Sequence, residues 1–456
     1  MLRANSPLRH ELGPEGVDFL RYAAGAFERI LPHIQRLAWQ EVAWRPGGTA
    51  WTDNRRKQIR TTIAFGDGSQ PWSRSLTALI KLQKLPMVGG VAGSTLALRE
   101  RDICGRITQR ISNTVVTFLT SEEHDVATAR AIRGSFDEAI IAEHINEHHR
   151  IRVPAISILA SLHTLSEQTY ENKALVFGCI IDPEVLAGSP AMFPAPFLEA
   201  KKYKALSDGF RTAYRVSSDG AVVDFVDLEK ANNRNLTGHH YFPEWSGSIA
   251  SASRAGRCGI ALTRQGDILV FDEGALKFTY RFGRWRYWNH SHVVKLLRDR
   301  ARAQRVPPSI VGKVVGSIYR AALDISFRRS GGLLVILHNQ RDLRKIVRTG
   351  DAIGDVDRNA SDQNFDQVVQ SHKMQSMPRA IAVEIASLDG AVVLSNSGTV
   401  LAYGAVLQPR KAGKLHGSEG SRTKAAIGAS NYGLAVKISS DGDITIYYNG
   451  REFFRI

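Results

Sequence analysis

The stretch "LDGAVVLSNSGTVLAYGAVLQP", Leu388–Pro409, opens on Asp-Gly, turn-forming residues, and runs into valines that suit a strand. A strand opening on Asp-Gly-Ala and a hairpin after it follow from that pattern. The same letters stand earlier in the chain, as "SSDGAVVDF" from Ser217. Other blocks recur with them. "RVPAISILASLHTLSEQTYENKALVFGCII" from Arg152 is answered by "RVPPSIVGKVVGSIYRAALDISFRRSGGLLVIL" from Arg305. In the first, Ile158, Leu159, Leu162 and Leu165 keep helical spacing; in the second, Ile310, Val311, Val314, Val315, Ile318 and Ala322 do so. Each helix gives way to a short apolar run, "ALVFGCII" or "GLLVIL", that reads as a buried strand. "GIALTRQGDILVF" from Gly259 is answered by "GLAVKISSDGDITIY" from Gly433, hairpins turning on Gly266 and Gly442. Matched blocks in one order predict two homologous units, residues 151–300 and 301–456, behind an N-terminal region, 1–150. The expected fold class is α/β or α+β, each unit a mixed sheet flanked by helices.

Between the second hairpin and the last strands lies "GSEGSRTKAAIGAS", Gly417–Ser430, after the basic segment "QPRKAGKLH". Here Arg422 and Lys424 open an alanine-rich helix. A helix start offers unpaired N–H groups and the positive end of its dipole, so two cations beside it make an anion seat, with phosphate the obvious anion. A solvated basic loop is the competing reading.

In these elements the second unit resembles the diadenylate cyclase (DAC) domain, the DisA-type and CdaA-type module that joins two ATP molecules into cyclic di-AMP. The resemblance rests on "GLLVIL", on the Asp-Gly-Ala strand with its hairpin, and on "GSRTKAAIGAS", where the family reads Gly-Thr-Arg-His-Arg-Ala-Ala. It covers about 310–456, and reaches the first unit mainly through "DGAVV" and the closing hairpin. The resemblance implies that Arg422 and Lys424 handle phosphates, with Gly420, Ser421, Thr423 and the helix-start amides around them. It implies that Asp389 holds a metal and activates a 3′-hydroxyl if the chain is an enzyme, and that Gly390 and Ala391 let a nucleotide approach the backbone. Asp441 is the second candidate metal ligand, and Mg or Mn the cofactor if a nucleoside triphosphate binds. In the first unit Asp219, Gly220 and Ala221 mark a degenerate site, with Ser248 and Ala250 opposite Arg422 and Lys424, and Arg254 and Arg257 the nearby cations.

The departures shape the functional expectation. The family's central His is Thr423, its second Arg is Lys424, and its acidic pair appears as Ser440 and Asp441. Phosphoryl chemistry rests on positioning and electrostatics, so such losses harm catalysis more than binding. The expectation is a non-catalytic sensor of a nucleotide or nucleotide second messenger, similar to the DACNV-type proteins of bacterial conflict systems. A divergent diadenylate cyclase and a nucleic-acid-binding protein are the alternatives. DAC domains work as face-to-face pairs, so the units could form an internal pseudo-dimer, or the chain a homodimer.

Composition agrees with a globular chain. Its 456 residues are 43% hydrophobic and 23% charged, with net charge +16, which favours an anionic partner. No run suits a membrane span and the N-terminus lacks a secretory signal, so a cytoplasmic protein is expected. Cys104, Cys179 and Cys258 match neither a disulfide framework nor zinc spacing. "HINEH", His144–His148, fits a two-histidine zinc pattern, against a polar helix end. "RFGRWRYWNHSH", from Arg281, interleaves arginines with rings that could stack bases or pack in a core. "VGGVAGSTLAL", from Val88, lacks the ending of a phosphate loop, and "DNRRKQIR", from Asp53, is a charge run. A helix is expected over Gly16–Trp44.

Overall fold

The computed structural model describes the chain apart from residues 1–4, 33, 36–38, 43–49, 55–57, 66–68, 70–73, 83–97, 121–125, 150–154, 186–206, 232–240, 359, 371 and 410–419. "VGGVAGSTLAL" lies outside the described residues except at its end. The side chains of "DNRRKQIR" do too.

Packing divides the chain into two compact units. The first comprises Met1–Pro86, Val91–Asn235 and Ser246–Trp288; the second comprises Met87–Gly90, Leu236–Trp245 and Asn289–Ile456. The expected boundaries differ from these: most of residues 1–150 are grouped with the first unit, and the main segment of the second runs from Asn289.

The first unit begins with α1 (Pro7–Ala24), whose Ser6 hydroxyl accepts from the Arg9 amide, and α2 (Ala26–Ile30). The helix expected to reach Trp44 stops at Ile30. Pro32 turns the residue before it away from helical angles, and Leu31 sits at φ −118°, ψ 77°. The chain continues as strands β1 (Ile34–Gln35), β2 (Trp39–Val42), β3 (Ala50–Asn54), β4 (Gln58–Phe65) and β5 (Arg74–Leu82) of one antiparallel sheet. Helices α3 (Leu98–Thr120), α4 (Val126–His148) and α5 (Ala155–Ser166) follow. A small hairpin, β6 (Thr169–Tyr170) and β7 (Lys173–Ala174), leads to β8 (Phe177–Asp182), β9 (Thr212–Ser217) and β10 (Val222–Asp227). Then come α6 (Leu228–Ala231), α7 (Gly247–Ala252), β11 (Cys258–Leu262), β12 (Ile268–Asp272), β13 (Ala275–Arg281) and β14 (Arg284–Tyr287). One apolar core joins Phe19 of α1, Ile107 of α3, Ile140 of α4 and Ile158 of α5 to Phe177, Ile260 and Phe278 of the sheet.

The second unit runs α8 (His290–Ala303), α9 (Val311–Phe327), β15 (Gly332–Leu337), α10 (Leu343–Ile346), α11 (Ala360–Gln370) and α12 (Arg379–Ser387). It closes with β16 (Ala391–Leu394), β17 (Val400–Ala405), α13 (Ser421–Ala429), β18 (Gly433–Ile438), β19 (Ile444–Tyr448) and β20 (Arg451–Arg455). Every residue of β15, like every residue of β8, is buried, as their unbroken apolar runs require.

The two mixed sheets follow one path. The first has the order β10-β9-β8-β11-β12-β13-β14, the second β17-β16-β15-β18-β19-β20. In each, a single parallel pair, β8 with β9 or β15 with β16, sits among antiparallel neighbours. The register also agrees: Cys258↔Asp272 and Leu262↔Ile268 in one sheet match Leu434↔Tyr448 and Ile438↔Ile444 in the other. A bulge at Lys277 on β13, opposite Val270–Phe271, is matched by one at Phe453 on β20, opposite Ile446–Tyr447, each two residues beyond a tight turn. Those turns carry positive φ at both central residues, Glu273–Gly274 and Asn449–Gly450, the geometry that matches strand twist.

This register corrects one sequence alignment. In the second unit Asp-Gly-Ala precedes β16. In the first unit Asp219, Gly220 and Ala221 lie in the turn between β9 and β10, where Ser217 N–H donates to the Ala221 carbonyl. The matching turn is Ser395–Thr399, where Ser395 N–H donates to the Thr399 carbonyl. Counting back along β9 from Ser217, aligned with Ser395, puts Arg211 where Asp389 stands.

Candidate functional site

The site is built where β16 begins. Gly390 has φ +108°, and a Cβ there would come within 2.5 Å of the Gly404 carbonyl carbon on β17, so only glycine lets the two strands approach. That backbone turns Asp389 outward at the amino end of β16, fully exposed, with Oδ1 accepting from the Gly390 N–H at 3.1 Å.

Helix α13 brings its opening to the same place. Gly420 caps it in extended conformation and, as glycine, makes no side-chain cap hydrogen bond to the first amides. Arg422, in the first turn, reaches within 3.5 Å of Asp389. Its guanidinium lies over Gly331, where an added Cβ would meet Nη1, so the glycine before β15 makes room for it. Asp389, Gly390, Ala391, Gly420, Ser421 and Arg422 are therefore assembled as one cradle at the end of the sheet. Lys424 is exposed on the same helix and pairs with none of the described residues.

Thr423 holds a contact that its identity alone does not announce: its hydroxyl accepts from Lys437 Nζ at 2.9 Å. Lys437 stands on β18, opposite Thr445, which in turn faces Arg455. Burial first, then the nearby Arg455, holds the Lys437 ammonium below its usual range, and Arg422 adds to the repulsion. Lys437 and Arg455 thus extend the cationic surface, and sequence reasoning missed both. The available signal was a lone lysine in the apolar strand "GLAVKI". Asp441 lies on the exposed turn after β18, and among the described residues no metal-spaced trio includes it or Asp389. Arg455 is paired with Glu452 at 2.7 Å, whereas Asp389 has Arg422 beside it at 3.5 Å, a guanidinium that would oppose a divalent cation there.

Other sequence candidates resolve into structural contacts within the first unit. His144 and His148 stack 5.6 Å apart on α4, yet they face different partners. His144 Nδ1 lies 2.8 Å from Asp102, which Arg106 also holds, while Glu147 pairs with Arg106. His148, His149 and Asp272 place ligand atoms within 4.8 Å of one another, but Arg99 donates to Asp272 at 2.6 Å and lies 3.0 Å from His148 Nε2. The guanidinium already supplies the cation. Trp285, Tyr287 and Trp288 are buried, Trp288 donating to Thr279 at 3.0 Å, so those rings are core rather than a stacking surface. The three cysteines are buried free thiols.

Comparison with known proteins places the second unit. No curated protein matches the chain. Among solved structures, a double mutant of DacA from Staphylococcus aureus is 23% identical, with TM-score 0.23, over 31% of this chain and 85% of that one. A hypothetical membrane spanning protein from Bacillus cereus is 20% identical, with TM-score 0.24, over 37% and 78%. No helix among the described residues is long and apolar enough to cross a membrane. Residues 319–452 match the family described as DAC, DisA bacterial checkpoint controller nucleotide-binding, so the match identifies a DAC domain in this part of the chain.

Proposed function

We propose that the chain senses a nucleotide or nucleotide second messenger, with the ligand's phosphates seated on Arg422, Lys424 and the open amides of α13. The observation that carries this reading is Arg422 held 3.5 Å from Asp389 at a helix start. Arginine grips phosphate oxygens as a fork, and the helix end adds donors of fixed direction. Two contacts favour binding over bond-making. Asp389 already faces a guanidinium, and Thr423, standing where the family has histidine, offers a hydroxyl engaged by Lys437. The matching sheets further support a pair of DAC-like units in one chain.

A divergent diadenylate cyclase is the second reading, favoured by the family match and by the exposed Asp389 carboxylate. Asp389 and Asp441 would then hold Mg or Mn, which would offset charge on the triphosphate. Incubation of the full chain with labelled ATP and Mn separates the two: the sensor reading expects no cyclic dinucleotide, and its appearance replaces that reading with the cyclase. Substituting Arg422→Ala together with Lys424→Ala should weaken ATP binding by about a hundredfold or more, with far-UV circular dichroism unchanged. Unaltered affinity would remove the cradle from the site.

A further inference from the structure

The first unit holds a cavity of about 510 Å³ that the cradle does not explain. It is lined by Ile180 and Asp182 on β8, Arg215 on β9, Val226 on β10, and Arg254 and Arg257 between α7 and β11. Asp182 closes the carboxyl end of β8, whereas Asp389 precedes the amino end of β16. The Asp182–Arg257 wall of the cavity is therefore at the opposite end of the repeated sheet from the one that carries the cradle.

Its charge is unusual for its place in the repeat. Through the shared register, Asp182, Arg215 and Arg257 take the positions of Leu337, Val393 and Gly433, so the fold itself does not require charge there. Asp182 is buried, and Arg215 donates to it from Nη2 at 2.6 Å and Nε at 3.1 Å. Arg257 Nε lies 3.1 Å from the same carboxylate oxygen, but off hydrogen-bonding geometry, and remains a buried donor with no acceptor. One carboxylate between two guanidiniums leaves a net positive charge. Arg254, exposed at the cavity wall and paired with none of the described residues, adds another.

We propose that this cavity binds a phosphate monoester with an apolar body of nucleoside size. Arg254 and Arg257 grip the phosphate, Asp182 fixes the fork of Arg215 beside it, and Ile180 and Val226 receive the rest. A dianion balances the excess charge, arginine suits phosphate geometry, and the volume lies within the range of small-ligand pockets.

The test uses the full chain carrying Arg422→Ala and Lys424→Ala, so that the cradle no longer contributes, titrated calorimetrically with AMP, inorganic phosphate and adenosine. AMP should bind, adenosine should not, and phosphate should bind more weakly than AMP. Adding Arg254→Ala and Arg257→Ala should weaken AMP by about tenfold or more. Arg254→Ala alone, at an exposed side chain, should already weaken it with the fold unchanged. Absence of AMP binding, adenosine binding as well as AMP, or AMP affinity indifferent to these arginines would overturn the proposal. Failure here leaves the cradle untouched, since that is read from ATP binding to the chain with its first unit intact.

Discussion

Glu138 on α4 is a carboxyl that the fold keeps out of water: burial pushes it up to about 7, from an ordinary 4.5. Its Oε2 lies 3.5 Å from Nε2 of His163, which burial holds below its usual range, and the Tyr280 ring meets that imidazole edge-on at 4.2 Å. A raised carboxyl favours the folded state below its unfolded pKa, and that contribution is lost as pH rises through about 7. The lowered His163 acts in the other direction, its contribution present above 6.5 and lost as pH falls. Replacing Glu138→Gln isolates the first effect. It should stabilise the protein by on the order of 1–3 kcal/mol at pH 8 and by little at pH 5, measured by chemical denaturation. An equal change at both values would assign the effect to packing. At this scale the sequence singled out Asp389 and Arg422, which the fold brings within 3.5 Å of each other, from their neighbours, a glycine turn and an alanine-rich helix start. It did not single out Lys437, whose contact with Thr423 on the preceding helix only the fold displays.

At the scale of elements, Asp324 ties helix to helix in the second unit. It is buried on α9, receives Arg379 Nε of α12 at 2.6 Å and Nη2 at 2.9 Å, and accepts the Glu244 amide at 2.7 Å. Arg379 also donates to the Phe242 carbonyl, so one ion pair anchors both helices and the segment entering the unit. Removing one partner strands the other's charge. Asp324→Ala should therefore cost about 3–5 kcal/mol in denaturation of the second unit, and a loss below ~1 kcal/mol would show the pair to be solvated. The strands themselves were legible from their apolar runs, and "GLLVIL" became β15. The misreading of Asp219 has a physical cause: Asp-Gly is a turn signal wherever it falls, before a hairpin or at its tip. Only strand pairing tells which.

Over the whole molecule, the recurrence of blocks foretold two matching sheets, whereas the unit boundaries depended on packing that letters do not display. Residues before 150 supply Leu8, Ile107 and Ile140 to the core that also holds Phe177 and Phe278. A chain beginning at residue 151 would leave that apolar face exposed, and should lose cooperative unfolding of the first unit while 1–288 keeps it. Retained cooperativity would make the leading helices an accessory layer. The coincident bulges at Lys277 and Phe453 have a consequence for engineering. Because each sits at one step of an equally long hairpin, Ile444–Arg455 can replace Ile268–Thr279 without inverting inward and outward side chains. The hairpins are interchangeable parts, so grafts can move chemistry between the sheets while leaving their backbones undisturbed.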